Sequence, residues 1–291
     1  MTVQASQLRP DGVNVTYRRM RFDFEEGFDR YWHGGSAFRS LFWTQLSTAF
    51  QPGERFFIDS ARALKGTLDD PAQLEELVEF CKQEGHHTAQ HLAFDRMNAA
   101  KGIDIDGCRD RYTWWLDLGR RVLGPYRQLG ITCALEHFTS SLADRLFAVP
   151  EMTEGADPRV LALWTWHAIE EAEHRGTCHD VFVAAGGSYF TRVSTLFTAW
   201  GLILAVSLVN TFRLLWQDGQ LFTRDTWRGL GYLFGRRGIV TGLFPVFLRY
   251  FRPGFHPWQE PVVIDGDVIA QWQVDNARHI IAVGSTRAMG A

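Results

Sequence analysis

Two segments of this chain, Glu84-x-x-His87 and Glu171-x-x-His174, each set a carboxylate and an imidazole one helical turn apart on a face that is otherwise apolar. In the first, Leu74, Leu77, Phe80 and Cys81 lead in steps of three and four to Glu84, His87 and His91. In the second, Trp164, His167, Glu171, His174 and Cys178 follow the same rule, so that a further histidine precedes the motif by one turn. Such a stripe is the core-facing side of a helix. Burying an unpaired carboxylate there costs several kcal/mol even after relaxation, and a metal ion removes that cost by pairing the charge. One E-x-x-H is a weak signal. Two, far apart and each on an apolar stripe, constrain the fold to one that brings two such faces together around a cation.

Two further carboxylates complete the pattern. Glu136 lies on the stripe Leu129, Thr132, Cys133, Ser140 and Ala143, whose small side chains leave room beside it. Glu54 follows Pro52-Gly53, which predicts that it stands in the first turn of a helix or at a break. The order Glu, Glu-x-x-His, Glu, Glu-x-x-His is that of a di-iron carboxylate bundle. The expected metal ligands are Glu54, Glu84, His87, Glu136, His167, Glu171 and His174. His91, His137 and Asp180 are additional donors or groups that hold a ligating ring from behind; His137, like His86 and His179, reads first as a structural residue. Glu170 and Glu173 face solvent or orient imidazoles. Carboxylates with imidazoles are harder than a thiolate set, which disfavours structural zinc and points to two metal ions, iron first, with manganese or a mixed pair as the alternative.

The rest of the chain reads as helix. Asp70-Pro71-Ala72-Gln73 is a helix start running to about Ala100; a stretch from about Asp106 breaks at Gly124-Pro125 and resumes to about Phe147; Asp157-Pro158 starts another that Gly186-Gly187 stops. No convincing strand alternation occurs between residues 36 and 250. The expected class is all-α: a ferritin-like four-helix bundle with additional C-terminal helices, one strongly apolar. The expected division is an arm over 1–35, a metal-binding bundle over 36–187 and an apolar, basic region over 188–291. A net charge of −3 gives no reason to expect nucleic acid. Four cysteines without a C-x-x-C pair fit a reducing compartment, and the first residues carry no apolar signal segment, so a cytoplasmic location is expected. Residues 193–212 are uncharged, with arginines on both sides and tryptophans around them. That run is a membrane span, a helix buried against the bundle or a hairpin that dips into one leaflet, and with its aromatic and basic rims the expectation is a bundle that sits on the inner membrane surface.

QPGERFF, KQEGHHTAQH, ALEHFT, TWHAIEEAEHRGTCHDVF and RPGFHPW resemble the bacterial family of predicted metal-dependent hydrolases, over residues from about 15 to 280. The ligand order is similar to that of ferritin-like di-iron proteins, and His167-x-x-x-Glu171-x-x-His174 resembles the ligand helix of arylamine N-oxygenases. The resemblance implies metal binding. A site of this composition is expected first to be an O2-dependent oxidase or oxygenase of a small or lipid-like organic substrate, with an electron donor as partner. The alternatives are a hydrolase with two-metal activated water and a metal- or oxygen-handling protein with no organic substrate.

Overall fold

The computed structural model describes residues 8–24 and 26–281. Among these residues the chain forms ten α-helices: α1 (Ala37–Ala63), α2 (Pro71–Ala100), α3 (Ile105–Val122), α4 (Pro125–Ala148), α5 (Pro158–His174), α6 (Thr177–Ala184), α7 (Tyr189–Gln217), α8 (Arg224–Phe234), α9 (Ile239–Arg249) and α10 (Gly266–Asp275). The protein is all-α, and the only extended pairings among the described residues are isolated bridges such as Met20 with Ile280.

Local chemistry sets most boundaries. Ser36, Asp70, Asp104 and Asp157 each accept a backbone N–H with their side chains at the start of α1, α2, α3 and α5, while Pro71, Pro125 and Pro158 occupy the first helical position, where their missing N–H costs nothing. Two boundaries differ from the sequence expectation. Pro52 does not begin or break a helix: α1 runs through it, so Glu54 stands in the helix interior. An interior proline costs roughly 3 kcal/mol, but Leu41, Phe42 and Leu46 before it and Phe56 and Phe57 after it are all buried, and holding both halves on the core outweighs that loss. The helix that starts at Pro158 stops at His174 instead of running to Gly186. Arg175 turns inward to pair with Asp144 at 3.0 Å, and the next residue is pressed onto Trp258. A Cβ on Gly176 would meet the Trp258 Nε1 at 2.6 Å, so only glycine allows the chain to pass.

α1 packs on α2 and α4, and α5 packs on α4 and α2. These four helices enclose the stripes carrying Glu54, Glu84, Glu136 and Glu171. α3 covers α1, and α7 lies along α4 and α1. One hydrophobic cluster joins Met20, Phe22 and Phe24 of the N-terminal arm to Leu41, Phe94, Leu146 and Trp166 of the bundle. It continues to Leu214, Leu243 and Trp272 of the C-terminal region. The four cysteines are free and buried, and burial pushes the Cys108 thiol up to about 12.

α7 contains the uncharged run and is long and apolar enough to cross a membrane, yet about 33% of its most apolar window is buried inside the protein. Leu196, Ala199, Val206, Leu214 and Leu215 face the bundle, while Phe190, Phe197, Val209 and Trp216 are exposed.

Candidate metal centre

Four helices deliver eight ionisable side chains to one place. Glu54 comes from α1; Glu84, His87 and His91 from α2; Glu136 from α4; His167, Glu171 and His174 from α5. None is more than 3% exposed. His174 Nε2 lies 3.3 Å from Glu84 Oε1, 3.3 Å from Glu136 Oε2 and 3.6 Å from Glu171 Oε2. His87 Nδ1 is 3.7 Å from Glu84 Oε1 and 4.0 Å from Glu171 Oε1. Two triplets have donor atoms within 4.8 Å of one another: Glu54, His87 and His167, and Glu84, Glu171 and His174.

The nitrogens that point away from this cluster are held by protein. His87 Nε2 donates to Glu170 Oε2 at 3.0 Å, and His174 Nδ1 donates to Gln83 Oε1 at 2.9 Å. A ring that donates from one nitrogen carries its lone pair on the other. Glu170 and Glu173, far from facing solvent, are buried; Arg18 of the arm bonds Glu173 at 2.8 Å and lies 3.6 Å from Glu170, and Gln83 Nε2 donates to Glu173 at 3.0 Å. His167 is oriented through a longer chain. Ser47 donates to Asp95 Oδ1 at 2.7 Å and therefore accepts from His91 Nδ1 at 2.9 Å. His91 Nε2 then accepts from His167 Nδ1 at 2.8 Å, which turns His167 Nε2 toward Glu171 Oε1 at 2.8 Å. Both nitrogens of His91 are thus spent on protein partners.

Within the cluster the opposite holds. Both oxygens of Glu84 and of Glu136, one oxygen each of Glu54 and Glu171, His87 Nδ1 and His174 Nε2 are buried without a hydrogen-bond partner. Orphaned buried polar atoms are rare and cost about 1–3 kcal/mol each. Here they converge. The electrostatics carry the same strain: burial first, then mutual repulsion, pushes Glu54 and Glu84 well above the usual carboxylate range. Burial raises Glu136 to about 7 in spite of His174 beside it. Burial disfavours a charged His174 as well, but Glu136 and Glu171 outweigh it and hold that imidazole well above its ordinary value. A donor set of carboxylates and imidazoles, oriented from behind and unsatisfied in front, fits a bound metal ion.

Residues 16–261 match the family described as predicted metal-dependent hydrolase. The chain belongs to that family. No curated protein and no solved structure matches it.

The hydrolase-family motif segments QPGERFF, KQEGHHTAQH, ALEHFT and TWHAIEEAEH supply the carboxylates and imidazoles of the cluster. Two sequence candidates lie elsewhere. His137 points among Trp200, Tyr250 and Phe255, and burial in those rings lowers it to about 3. Asp180 holds none of the clustered imidazoles; its Oδ1 accepts from His256 Nε2 at 3.0 Å, which joins the HDVF and RPGFHPW segments. The reason is the turn at Arg175-Gly176, which takes α6 off the line of α5. His179, Asp180 and His256 bring donor atoms within 4.8 Å of each other. The Trp258 N–H donates to His256 Nδ1 at 3.2 Å, so the ring proton resides on Nε2 and serves Asp180. Sequence reasoning missed Arg18, Ser47, Gln83, Thr88 and Asp95. Only Gln83 and Asp95 carried a signal, as polar residues on buried stretches of α2.

Proposed function

We propose that this chain is a two-metal hydrolase whose centre is held by Glu54, Glu84, His87, Glu136, His167, Glu171 and His174. The observation that carries the reading is the set of unpartnered carboxylate oxygens and imidazole nitrogens facing one another in the buried interior, joined to membership of a metal-dependent hydrolase family. Two bound ions would lower the pKa of a water and polarise the bond to be cleaved. The chain's own residues do the rest. Glu170 and Gln83 hold His87 and His174 in their donating tautomers. The Asp95–Ser47–His91 line aims His167 so that its Nε2 faces Glu171 Oε1 at 2.8 Å. The four packed helices keep bulk water away.

A second reading has its own support. Four carboxylates with no thiolate, none more than 3% exposed, suit a redox pair such as iron shielded from solvent. That favours O2-dependent oxidation of a small or lipid-like molecule, with an external electron donor. Manganese or a mixed pair suits the same donors.

One experiment separates the readings. The chain is stripped with chelator, reloaded without oxygen with Fe2+, Mn2+ or Zn2+, and its metal counted. It is then offered ester, amide and phosphate substrates anaerobically, and organic substrates with O2 and a reductant. Anaerobic turnover supports hydrolysis. Substrate-dependent O2 uptake without anaerobic turnover supports the second reading. A chain that takes up no ion overturns both.

The exposed apolar face of α7, with Trp216 and the basic residues Arg213, Arg224 and Arg228 nearby in sequence, supports a station at the inner membrane surface. A chain that stays in the supernatant of lysed cells without detergent would overturn this.

A further inference from the structure

An apolar cavity of about 90 Å³ lies between α1, α3, α4 and α7, and one member of the carboxylate cluster, Glu54, forms part of its wall. Among its lining residues Glu54 alone is charged. Phe57, Leu135, Ala199 and Leu202 are typical of the rest. The hydroxyls that reach the wall are already committed. Tyr112 donates to Gln45, Thr139 to the Glu136 carbonyl and Thr198 to the Ser194 carbonyl. The wall hydroxyls therefore offer no free donor to a ligand, and a charged group placed along this mostly apolar wall would lose its hydration without return. Glu54 differs: Thr88 takes one carboxylate oxygen and the other is unpartnered. At the opposite limit Trp115 is 39% exposed and Thr198 is exposed, so the cavity runs from the surface between α3 and α7 to Glu54.

We propose that this cavity binds the uncharged hydrocarbon part, alkyl or aryl, of the substrate, entering between α3 and α7 and placing the reacting polar group at Glu54. The assignment of the reacting end rests on the metal-centre reading. The binding of the hydrocarbon part does not. Recognition is by removal of apolar surface from water, so affinity follows chain length and not head-group hydrogen bonding.

The test uses the full chain, its metal content recorded, and n-alkanols from butanol to octanol titrated calorimetrically. Each added methylene should tighten binding about four-fold, the equivalent of burying one CH2, until the cavity is filled. Leu202→Trp, at the partly exposed rim, and Ala199→Phe, deeper in the wall, should each weaken octanol binding at least ten-fold with metal content unchanged. If Ala199→Phe does not fold, Leu202→Trp decides alone. Binding that ignores chain length, or that survives the Leu202 change intact, overturns the proposal. A chain that follows the alkanol series but takes up no metal keeps the hydrocarbon site and loses the metal reading.

Discussion

His91 Nε2 and His167 Nδ1 lie 2.8 Å apart, one ring from α2 and the other from α5, and this contact decides which nitrogen of His167 faces the carboxylates. Because Ser47 gives its only proton to Asp95, the direction of every bond in the line follows from that end. His91, whose spacing left it either a further donor or a group behind one, has both ring nitrogens on protein partners.

Changing the start of this line should disturb its end. Asp95→Asn or Ser47→Ala should weaken metal binding about ten-fold, within the usual range for partners of ligating histidines. Helix content should be unchanged. Competitive titration with a chromophoric chelator measures the effect, and wild-type affinity in both variants would show that His167 is oriented by packing alone.

Glu84 has neither oxygen satisfied, and burial with the repulsion of Glu136 pushes its carboxyl well up. Replacing it with glutamine keeps the shape and removes the charge. Glu84→Gln should raise the melting temperature of chelator-treated protein and abolish most of the added stability that metal confers on wild type, which follows from linkage between binding and folding. A variant that loses stability without metal and still gains it with metal would show that Glu84 is an ordinary paired carboxylate.

Above about pH 7 the metal-free chain should lose stability as pH rises. Burial lifts Asp95 to about 7, Glu136 to about 7 and Glu170 to about 8. Each group has a folded value above its unfolded one, so the unfolded chain releases its proton first. Although His33, His87, His91, His137 and His179, which burial holds below the ordinary imidazole value, act in the opposite sense, they do so only below about 6.5, and the contribution of the carboxyls declines through pH 7 to 8. The raised His174 works in the same direction, since its charged form is stabilised in the fold and is lost as pH rises. Bound cations would take the place of the protons on Glu136 and His174, so the slope should flatten after reconstitution. Urea midpoints between about pH 7 and 8.5, with and without metal, test this; a chelated protein that grows more stable over that range contradicts the cluster as described.

Arg18 is 8% exposed and spans Glu170 and Glu173 from the N-terminal arm. Removing one partner of a buried ion pair costs about 3–5 kcal/mol because the other charge is left behind. Arg18→Ala should therefore destabilise the fold by about 3 kcal/mol and weaken metal binding through His87 and Gln83. Chemical denaturation checks the first effect and metal titration the second. A change below about 0.5 kcal/mol, typical of an exposed pair, would show that the arm is not anchored by this residue.

Much of this molecule is written locally. The starts of α1, α2, α3 and α5 follow from one capping side chain each, and the i, i+3 spacing of Glu84 with His87 and of Glu171 with His174 puts each pair on one face whatever surrounds it. Those features depend on residues within a turn of one another, so the sequence alone determined the all-α class and the residues that meet in the bundle. The tertiary structure decided the rest. It carried α1 through Pro52, because burial on both sides outweighs one lost hydrogen bond. It turned Asp180 to His256 and His137 into an aromatic nest, and it brought Arg18 to Glu173 across 155 residues. It also divided α7 into a face on the bundle and a face outside it. Each of these depends on which side chains from distant segments pack together, and helical periodicity specifies a face without specifying its neighbour.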